Sequence, residues 1–257
     1  SIPRNRPPMS TPNDSTPAES SPKRFAALQS AFASMAMLWL AMPPVGWDWL
    51  AWFAPVPLIG LIRPTDAPAR IYRQLWIAGS VYWLTTLYFI PIPFWGLVFG
   101  WVVLSIYLSL YLPLFVAIAR RMHHRWRWPL VIAAPLAWTG LEVIRSTFAT
   151  GFGMMLLSHS QFRQPVIVQF ASFGGAYGIS FLLMMVATLI GTVLTRTGRV
   201  NLGRRETAWS IGVASLVIVC IVVQAIGINR TREPPVAGTL RVALIQSSID
   251  TVLRPPT

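Results

Sequence analysis

Long apolar stretches, separated by short polar or proline-containing segments, dominate the sequence. A helix needs about 20 apolar residues to cross the hydrocarbon core of a bilayer, so these stretches predict membrane-spanning helices. The second stretch is short and broken by Pro55 and Pro57, and we expect it to form a bent or tilted pair with the first. The sixth is too long for one simple crossing, and its first part, up to Phe173, is expected to lie along the membrane interface or to re-enter. The seven predicted spans are 25–42, 47–62, 71–90, 94–119, 129–148, 165–194 and 208–228.

The two ends of the chain have a different pattern. Residues 1–24 contain six prolines and five serines without an apolar period, which is typical of a disordered tail. Residues 229–239 form a polar linker, after which residues 240–246 alternate like a β-strand. A lone strand is not a stable unit, so residues 240–257 are expected to begin a second, α/β domain. The predicted fold is therefore an all-α membrane bundle of about seven helices that ends in the first strand of another domain.

The composition supports an integral membrane protein. The chain is 54% hydrophobic and 11% charged, with a mean hydropathy of +0.55, whereas a soluble domain carries about 25% charged residues. The net charge of +13 predicts no nucleic-acid partner, because basic residues of membrane proteins usually mark cytoplasmic loops. One cysteine and three histidines without metal-ligand spacing predict neither a disulfide, a metal site nor a bound cofactor.

The charges of the loops predict the orientation. Lysines and arginines number four in the N-terminal tail, then none, three, none, four, one and four in the six successive loops. The positive-inside rule places the basic segments in the cytoplasm. The N-terminus is therefore expected to be cytoplasmic, and loop 149–164 and the residues after 228 are expected on the outside.

The candidate site lies at the end of the fifth span and in the loop that follows. Ionisable side chains and irregular backbone are both costly in a bilayer unless they are buried in protein or line a cavity. Glu142 and Arg145 are three residues apart and share a helix face, either as a structural ion pair or as a contact for a polar lipid head. His159 is either an interfacial hydrogen-bonding group or a catalyst. The candidate substrate- or lipid-binding residues are Glu142, Arg145, Thr150, Gly151, Phe152, His159 and Gln161.

Two pairs of glycines are spaced four residues apart, Gly96 with Gly100 and Gly174 with Gly178. Small residues at this spacing let membrane helices approach closely. Both pairs therefore predict close helix packing.

Several motifs in order resemble one enzyme family. They are E-x-x-R at 142–145, T-G-F at 150–152, S-Q at 160–161 and G-x-x-x-G-x-S-F-L at 174–182. Together they resemble apolipoprotein N-acyltransferases over about residues 35–250, and the strand at 241–246 is similar to the first strand of that family's nitrilase-like domain. The family's Pro-Trp after T-G-F is Gly153-Met154 here, which puts in doubt any lipid contact made by that tryptophan.

The resemblance implies a membrane enzyme of lipoprotein maturation. Such an enzyme transfers a fatty acyl chain from a phospholipid to the N-terminal diacylglyceryl-cysteine of lipoproteins, in the bacterial inner membrane, and we expect it to be a monomer. The family uses a Glu-Lys-Cys triad in the nitrilase-like domain, which is expected to be missing here together with an eighth span. The single lysine, Lys23, lies in the tail and the single cysteine, Cys220, lies mid-span. We therefore expect no catalytic residue in this chain, and no activity of this chain alone.

Two other classes of function stay open on the residues alone. One is a seven-helix transporter or channel, although coupled transporters usually carry several membrane-embedded ionisable groups and this chain has one such pair. The other is a non-catalytic membrane scaffold.

Overall fold

The computed structural model describes residues 22–64, 69–148, 151–196, 208–212 and 215. Within these ranges the chain is helical or lies in turns and loops, without a β-strand. Residues 1–21 of the predicted tail, most of the seventh span, the linker and the predicted strand lie outside the described residues, whereas residues 22–24, predicted as the end of the tail, already belong to a helix. The α-helices are α1 (Pro22–Ala41), α2 (Val56–Ile62), α3 (Arg70–Thr86), α4 (Val98–Ser109), α5 (Tyr111–His124), α6 (Leu130–Thr147), α7 (Pro165–Val168) and α8 (Ala171–Arg196), and 3₁₀ helices cover Asp48–Trp52, Trp95–Leu97 and Leu157–Gln161.

Prolines break two of the predicted spans. The second span is a 3₁₀ helix followed by α2, which begins at Val56 directly after Pro55. The fourth span is divided at Leu110 into α4 and α5, a break that the sequence pattern did not predict. Pro113 has no N–H to donate to the carbonyl of Ser109, so the helical hydrogen-bond ladder is interrupted there.

Glycines break the sixth span. Inside α8, Gly174 (φ −146°) and Gly175 (φ +61°) have non-helical backbone angles, and the left-handed φ of Gly175 is accessible because glycine has no Cβ. The helix is therefore broken directly after Phe173, and the expectation that the part before this break lies along the interface or re-enters stays a prediction. Among the described residues, no atom lies within 4 Å of the place where a Cβ of Gly174 or Gly100 would sit. The prediction of close helix packing at these two glycines is therefore wrong within the described part of the chain.

The close approaches occur at other glycines. A Cβ on Gly79 would lie 3.1 Å from the carbonyl oxygen of Ser109, and one on Gly191 would lie 3.2 Å from Ile59. These contacts bring α3 against the end of α4 and α8 against α2. Neither glycine belongs to a pair spaced four residues apart, so the spacing signal did not reveal them.

Two helical stretches, Trp95–His124 and Ala171–Leu194, are long and apolar enough to cross a membrane by length and composition. Two shorter apolar stretches, Ala26–Ala41 and Asp48–Ile62, fall below that length. The all-helical character of the predicted bundle is confirmed for the described residues. The seven crossings are not confirmed.

Contacts between loops define two ends of the bundle. Gln161 donates from Nε2 to the carbonyl of Asp48 at 2.9 Å, and the ring of Phe152 packs edge-on against Trp83 at 5.8 Å between centroids. The C-terminal ends of α1, α3 and α6 therefore meet at one end, which we call the loop end (residues 43–54, 87–97 and 151–164). At the other end, Arg120 near the end of α5 donates to the carbonyl of Leu61 at the end of α2. We call the C-terminal ends of α2 and α5 the basic end.

Candidate functional site

Glu142 lies on α6, close to the loop end, and its side chain is 5% exposed. Its Oε1 accepts one hydrogen bond from Trp138 Nε1 at 3.0 Å and another from the backbone N–H of Leu157 at 2.8 Å. Ser180 on α8 lies close to the same carboxylate, and its Oγ accepts a hydrogen bond from the N–H of Ser158. The carboxylate thus fastens the loop that follows α6 to the helix itself.

Arg145, one turn further along α6, holds the same loop from its other side. Its side chain is 6% exposed, and Nη2 donates to the carbonyls of Met154 and Met155 at 3.1 and 3.2 Å. The guanidinium carbon lies 5.1 Å from the ring centroid of Trp83 and 5.9 Å from that of Phe152. A guanidinium at such distances is attracted by the negative faces of the rings, so the cation is held by two carbonyls and two aromatic side chains.

The expectation of a structural ion pair is corrected by these contacts. The contacts of Glu142 and Arg145 in the described structure do not include a direct ion pair between the two side chains. The reason is the irregular backbone of residues 151–157, whose buried N–H and C=O groups need partners. The two charged side chains supply those partners, so each is committed to the loop and they attract each other only at longer range.

The loop itself is shaped by glycine. Gly151 has φ +61°, and its N–H donates to the carbonyl of Phe148 at 3.1 Å, closing a turn directly after α6. This turn directs the half-buried Phe152 towards Trp83 and Arg145. Thr150, the remaining member of the predicted T-G-F motif, lies outside the described residues.

Gln161 braces two loops. It is 1% exposed, and its Nε2 donates to the carbonyl of Asp48 and to Ser160 Oγ at 2.9 and 3.0 Å. Gln164 Nε2 donates to Asp48 Oδ2 at 2.6 Å. Both donors of the Gln161 amide are thus engaged within the chain. Asp48 was missed by sequence reasoning, although an acidic residue between Trp47 and Trp49 in an apolar stretch was the available signal.

His159 has an exposed side chain, and its ring has no hydrogen-bond partner among the described contacts. The ring is still partly covered by neighbouring atoms. This burial lowers the pKa of His159 below its ordinary value of 6.5, and the positive charge of Arg145 acts in the same direction. The neutral imidazole is therefore favoured at neutral pH.

A cavity of about 60 Å³ lies between α1, α3, α5 and α6. Glu142 and Arg145 both line it, so the two charged residues of α6 do share one face, as the sequence predicted. The remaining walls are apolar or aromatic, and sequence reasoning missed them, because residues far apart in the chain have no spacing signal. The spacing of Trp138 four residues before Glu142 was the one local indication. The aromatic residues in the wall are Tyr82, Trp83, Tyr111, Phe115 and Trp138.

No group of three or more His, Cys, Asp or Glu side chains is placed to hold a metal ion within the part of the chain that the structure describes. Cys220 lies outside that part. The arrangement at the loop end offers binding chemistry: a carboxylate, a guanidinium, aromatic faces and a small cavity.

Known proteins resemble this chain in sequence over most of its length. The family model of the apolipoprotein N-acyltransferase N-terminal domain matches residues 34–189. A protein of Rhodopirellula baltica named apolipoprotein N-acyltransferase is 32% identical over 228 residues, which is 81% of this chain and 38% of that protein. A protein of the same name from Geobacter metallireducens is 32% identical over 234 residues, 86% of this chain and 43% of that protein. The chain thus spans about two fifths of the length of these relatives.

Proposed function

Because the chain belongs to the apolipoprotein N-acyltransferase family, we propose that it forms the membrane portion of an enzyme of lipoprotein maturation. The reaction is the transfer of a fatty acyl chain from a phospholipid to the N-terminal diacylglyceryl-cysteine of a lipoprotein. The match of the family model to residues 34–189 carries this proposal. The buried charges and aromatic side chains at the loop end support it, because they give the bundle a polar site at one end of an apolar core.

The proposed chemical step requires a nucleophile, a base and an oxyanion donor, and the sequence supplies a cysteine and a lysine only once each, far apart. An acyl transfer through a covalent intermediate needs a nucleophile activated by a neighbouring base and a donor that stabilises the oxyanion. The chain has one cysteine, Cys220, in an apolar stretch, and one lysine, Lys23, near the N-terminus. A thiol in apolar surroundings is a poor thiolate. We therefore propose that this chain alone does not catalyse the transfer.

The proposed role of this portion is to hold the two lipid substrates at the loop end. Glu142 and Arg145 fix the loop from residue 151 to 157, Gly151 sets its turn and Phe152 covers the guanidinium. Of the candidate binding residues predicted from the sequence, two remain for direct contact with substrate. They are His159, which is exposed, and Thr150, which lies outside the described residues. Gln161 contributes indirectly, because its hydrogen bond to the carbonyl of Asp48 holds two loops of the loop end in position.

We place the protein in the bacterial inner membrane as a monomer, with the basic end in the cytoplasm and the loop end outside. The charges of the loops support this orientation. The exposed Trp95 at the loop end, which is 81% exposed, supports a membrane interface at that end, since tryptophan and tyrosine favour both membrane–water interfaces.

Reporter fusions test the orientation. A reporter that is active only outside the cytoplasm should be active when fused after Arg232 and silent when fused after Arg125. The opposite pattern would overturn both the orientation and the proposed location of the substrate site.

A chimera tests the function. Residues 1–228 of this chain would replace the matching part of the Geobacter metallireducens relative, and transfer from phospholipid to a diacylated lipopeptide would be measured in membranes. We expect the chimera to be active, and we expect the isolated chain to be inactive. If the chimera inserts with the predicted orientation but is inactive, or if the isolated chain shows acylation that depends on Cys220, the proposal is wrong.

A further inference from the structure

The basic end exposes three arginines at and just beyond the C-terminus of α5. Arg121, Arg125 and Arg127 all have exposed side chains. Within the described residues, none of the three guanidinium groups has a hydrogen-bond or ion-pair partner. They therefore differ from the buried Arg120, which donates to the carbonyl of Leu61. Their charges are available to a partner from outside the chain.

Acidic side chains do little to compensate these charges. Segment 120–128 contains four arginines, two histidines and no acidic residue. Where the structure describes the chain, the acidic residues are Asp48 and Glu142, and both lie at the loop end. Asp66 and Glu206 belong to the two other basic loops, which contain three and four arginines. The partner that this surface favours is therefore an anion.

The turn after α5 leaves the arginine side chains free of a capping role. The backbone N–H groups of Arg125 and Trp126 donate to the carbonyl of Arg121 at 2.9 and 3.4 Å. The N–H of Trp128 donates to the carbonyl of Met122 at 3.1 Å. These bonds satisfy carbonyls of the last turn, which lack partners inside the helix. The guanidinium groups are thus held on an ordered turn without being used by it.

Two exposed tryptophans accompany the arginines. Trp126 is 56% exposed and Trp128 is 41% exposed, and their ring centroids lie 6.2 Å apart. Tryptophan is enriched where the hydrocarbon of a bilayer meets the head groups. A small anion dissolved in water has no use for these side chains, so they favour an anion that belongs to a membrane.

An apolar stripe on α5 leads to the same arginines. Exposed side chains recur at spacings of four, four, three and four residues, which place them on one face: Leu110, Leu114, Ile118, Arg121 and Arg125. At 1.5 Å per residue, the first of them lies about 16 Å along the helix from Arg121. This length is close to half of the hydrocarbon thickness of a bilayer, which is about 30 Å. The stripe therefore matches an acyl chain of one leaflet, with the arginines at its head group.

We propose that the arginines and tryptophans of residues 121–128, which we call the basic surface, bind the head group of an anionic phospholipid whose acyl chain lies along the stripe on α5. A guanidinium donates two parallel hydrogen bonds to a phosphate, which gives this pairing both strength and direction. Phosphatidylglycerol carries a net negative charge, whereas the ammonium of phosphatidylethanolamine neutralises its own phosphate. The cytoplasmic leaflet is implied by the orientation in the proposed function, but the class of lipid follows from the basic surface alone.

The test measures lipid binding to the purified full chain in detergent by native mass spectrometry. The probes are phosphatidylglycerol and phosphatidylethanolamine with identical acyl chains. Each arginine near an anionic surface contributes roughly fivefold to binding. The double variant Arg121→Gln with Arg125→Gln should therefore weaken phosphatidylglycerol binding about 25-fold at low ionic strength. It should leave phosphatidylethanolamine binding unchanged, and about 1 M salt should remove the preference of the parent, because charges are then screened beyond about 3 Å.

A matched control removes the same charge elsewhere. Arg70 and Arg73 are exposed on the first turn of α3, away from the two tryptophans in sequence. Arg70→Gln with Arg73→Gln should keep most of the phosphatidylglycerol binding. An equal loss in both double variants would show that only the net charge matters and would overturn the proposed site.

A second variant addresses the case that the arginines also stabilise the end of α5. Trp126→Leu with Trp128→Leu keeps every charge. It should weaken phosphatidylglycerol binding while the melting temperature without lipid stays that of the parent. Binding that is unchanged in this variant and in a folded Arg121→Gln with Arg125→Gln would overturn the inference.

Competition identifies the kind of anion. Neither inorganic phosphate nor a short polyglutamate peptide, each at the concentration of the lipid, should displace phosphatidylglycerol from the parent. Displacement by phosphate would assign the basic surface to a soluble anion, and displacement by the peptide would assign it to an acidic protein; either result would overturn the inference. These measurements in detergent do not depend on orientation or on acyl transfer. Failure of this inference is therefore distinguishable from failure of the proposed function, which the reporter fusions and the chimera test.

Discussion

Each end of the bundle buries an arginine that donates to two consecutive carbonyls. At the basic end, Arg120 Nη1 donates to the carbonyls of Leu61 and Ile62 at 2.8 and 3.4 Å. At the loop end, Arg145 Nη2 donates to the carbonyls of Met154 and Met155 at 3.1 and 3.2 Å. The two side chains are similarly buried, at 8% and 6% exposed. Holding backbone carbonyls is thus a structural task that either arginine performs.

The surroundings of the two arginines differ. Arg120 meets the end of α2, where helical carbonyls lack partners and a cation is favoured, and His124 Nε2 donates to the carbonyl of Ile62 at 3.0 Å. This arrangement is a helix cap. Arg145 instead shares its place with a carboxylate, two aromatic rings and a cavity. The difference separates structure from function: the features at the loop end that a cap does not need are the ones that we assign to binding.

The largest effect should come from breaking the loop end at Glu142. Glu142→Ala removes the acceptor for Trp138 and Leu157 and leaves Arg145 buried near no negative charge. Each lost hydrogen bond to the charged carboxylate contributes about 1.5–3 kcal/mol, although water defects in a membrane soften the cost of the remaining buried cation. The double variant Glu142→Gln with Arg145→Gln should be less destabilised, because no charge is stranded. Thermal melting in detergent measures the stability of both variants. A Glu142→Ala variant that melts like the parent would contradict the role of Glu142 in holding the loop at residues 151–157.

A second pair of variants compares the two arginines directly. Arg120→Gln and Arg145→Gln each remove charge-assisted hydrogen bonds to buried carbonyls, worth about 1.5–3 kcal/mol. Both should lower the melting temperature by similar amounts. Added phosphatidylethanolamine should protect the parent and Arg120→Gln against heating, but should protect Arg145→Gln less. Equal protection of the two variants would show that phosphatidylethanolamine does not bind preferentially at the loop end.

A smaller effect is expected from breaking the hydrogen bond that joins residues 151–164 to residues 43–54 at the loop end. Gln161→Ala removes the hydrogen bond to the carbonyl of Asp48, and such a bond contributes about 0.5–1.5 kcal/mol. Protease cleavage between residues 149 and 164 should become faster, while cleavage near Arg125 at the basic end should not change. Cleavage that accelerates equally at both ends would indicate global unfolding instead of a local brace.

The sequence predicted the helices better than it predicted the site. Each of the first six apolar stretches contains helix, although the second, fourth and sixth are divided at prolines or glycines. Glu142 and Arg145 were found as charges within an apolar stretch, but their partners were not. Those partners are backbone groups of Met154, Met155 and Leu157, and any residue type supplies the same N–H and C=O.

The glycines show the same limit of sequence reasoning. Spacing alone predicted that Gly174 lies in a helix contact, whereas the chain uses it and Gly175 to break the helix. The glycines that do pack closely, Gly79 and Gly191, depend on which helices are neighbours. That information lies in the fold and not in the local pattern.

The smallest effect concerns His159 and pH. Its pKa is lowered in the folded chain by burial and by Arg145, so the unfolded chain binds the proton more readily. The contribution of neutral His159 to the stability should therefore be fully present above pH 6.5. It should be lost as the pH decreases through the lower pKa of the folded chain. Melting curves of the parent and His159→Gln between about pH 5 and 8 should converge at the upper end, with the parent losing more stability on acidification. A parent that gains stability relative to His159→Gln on acidification would contradict the lowered pKa.

Photocrosslinking tests the central claim, that the loop end and not the basic end receives the polar head of a substrate lipid. Phosphatidylethanolamine with a photoreactive group in its head would be incorporated with the chain into membranes, and the crosslinked peptides would be mapped by mass spectrometry. The account predicts adducts around Trp83, Phe152 and Met155, reduced in Glu142→Gln but retained in Arg120→Gln. Adducts concentrated around Arg120 and His124, or spread equally over both ends, would contradict it.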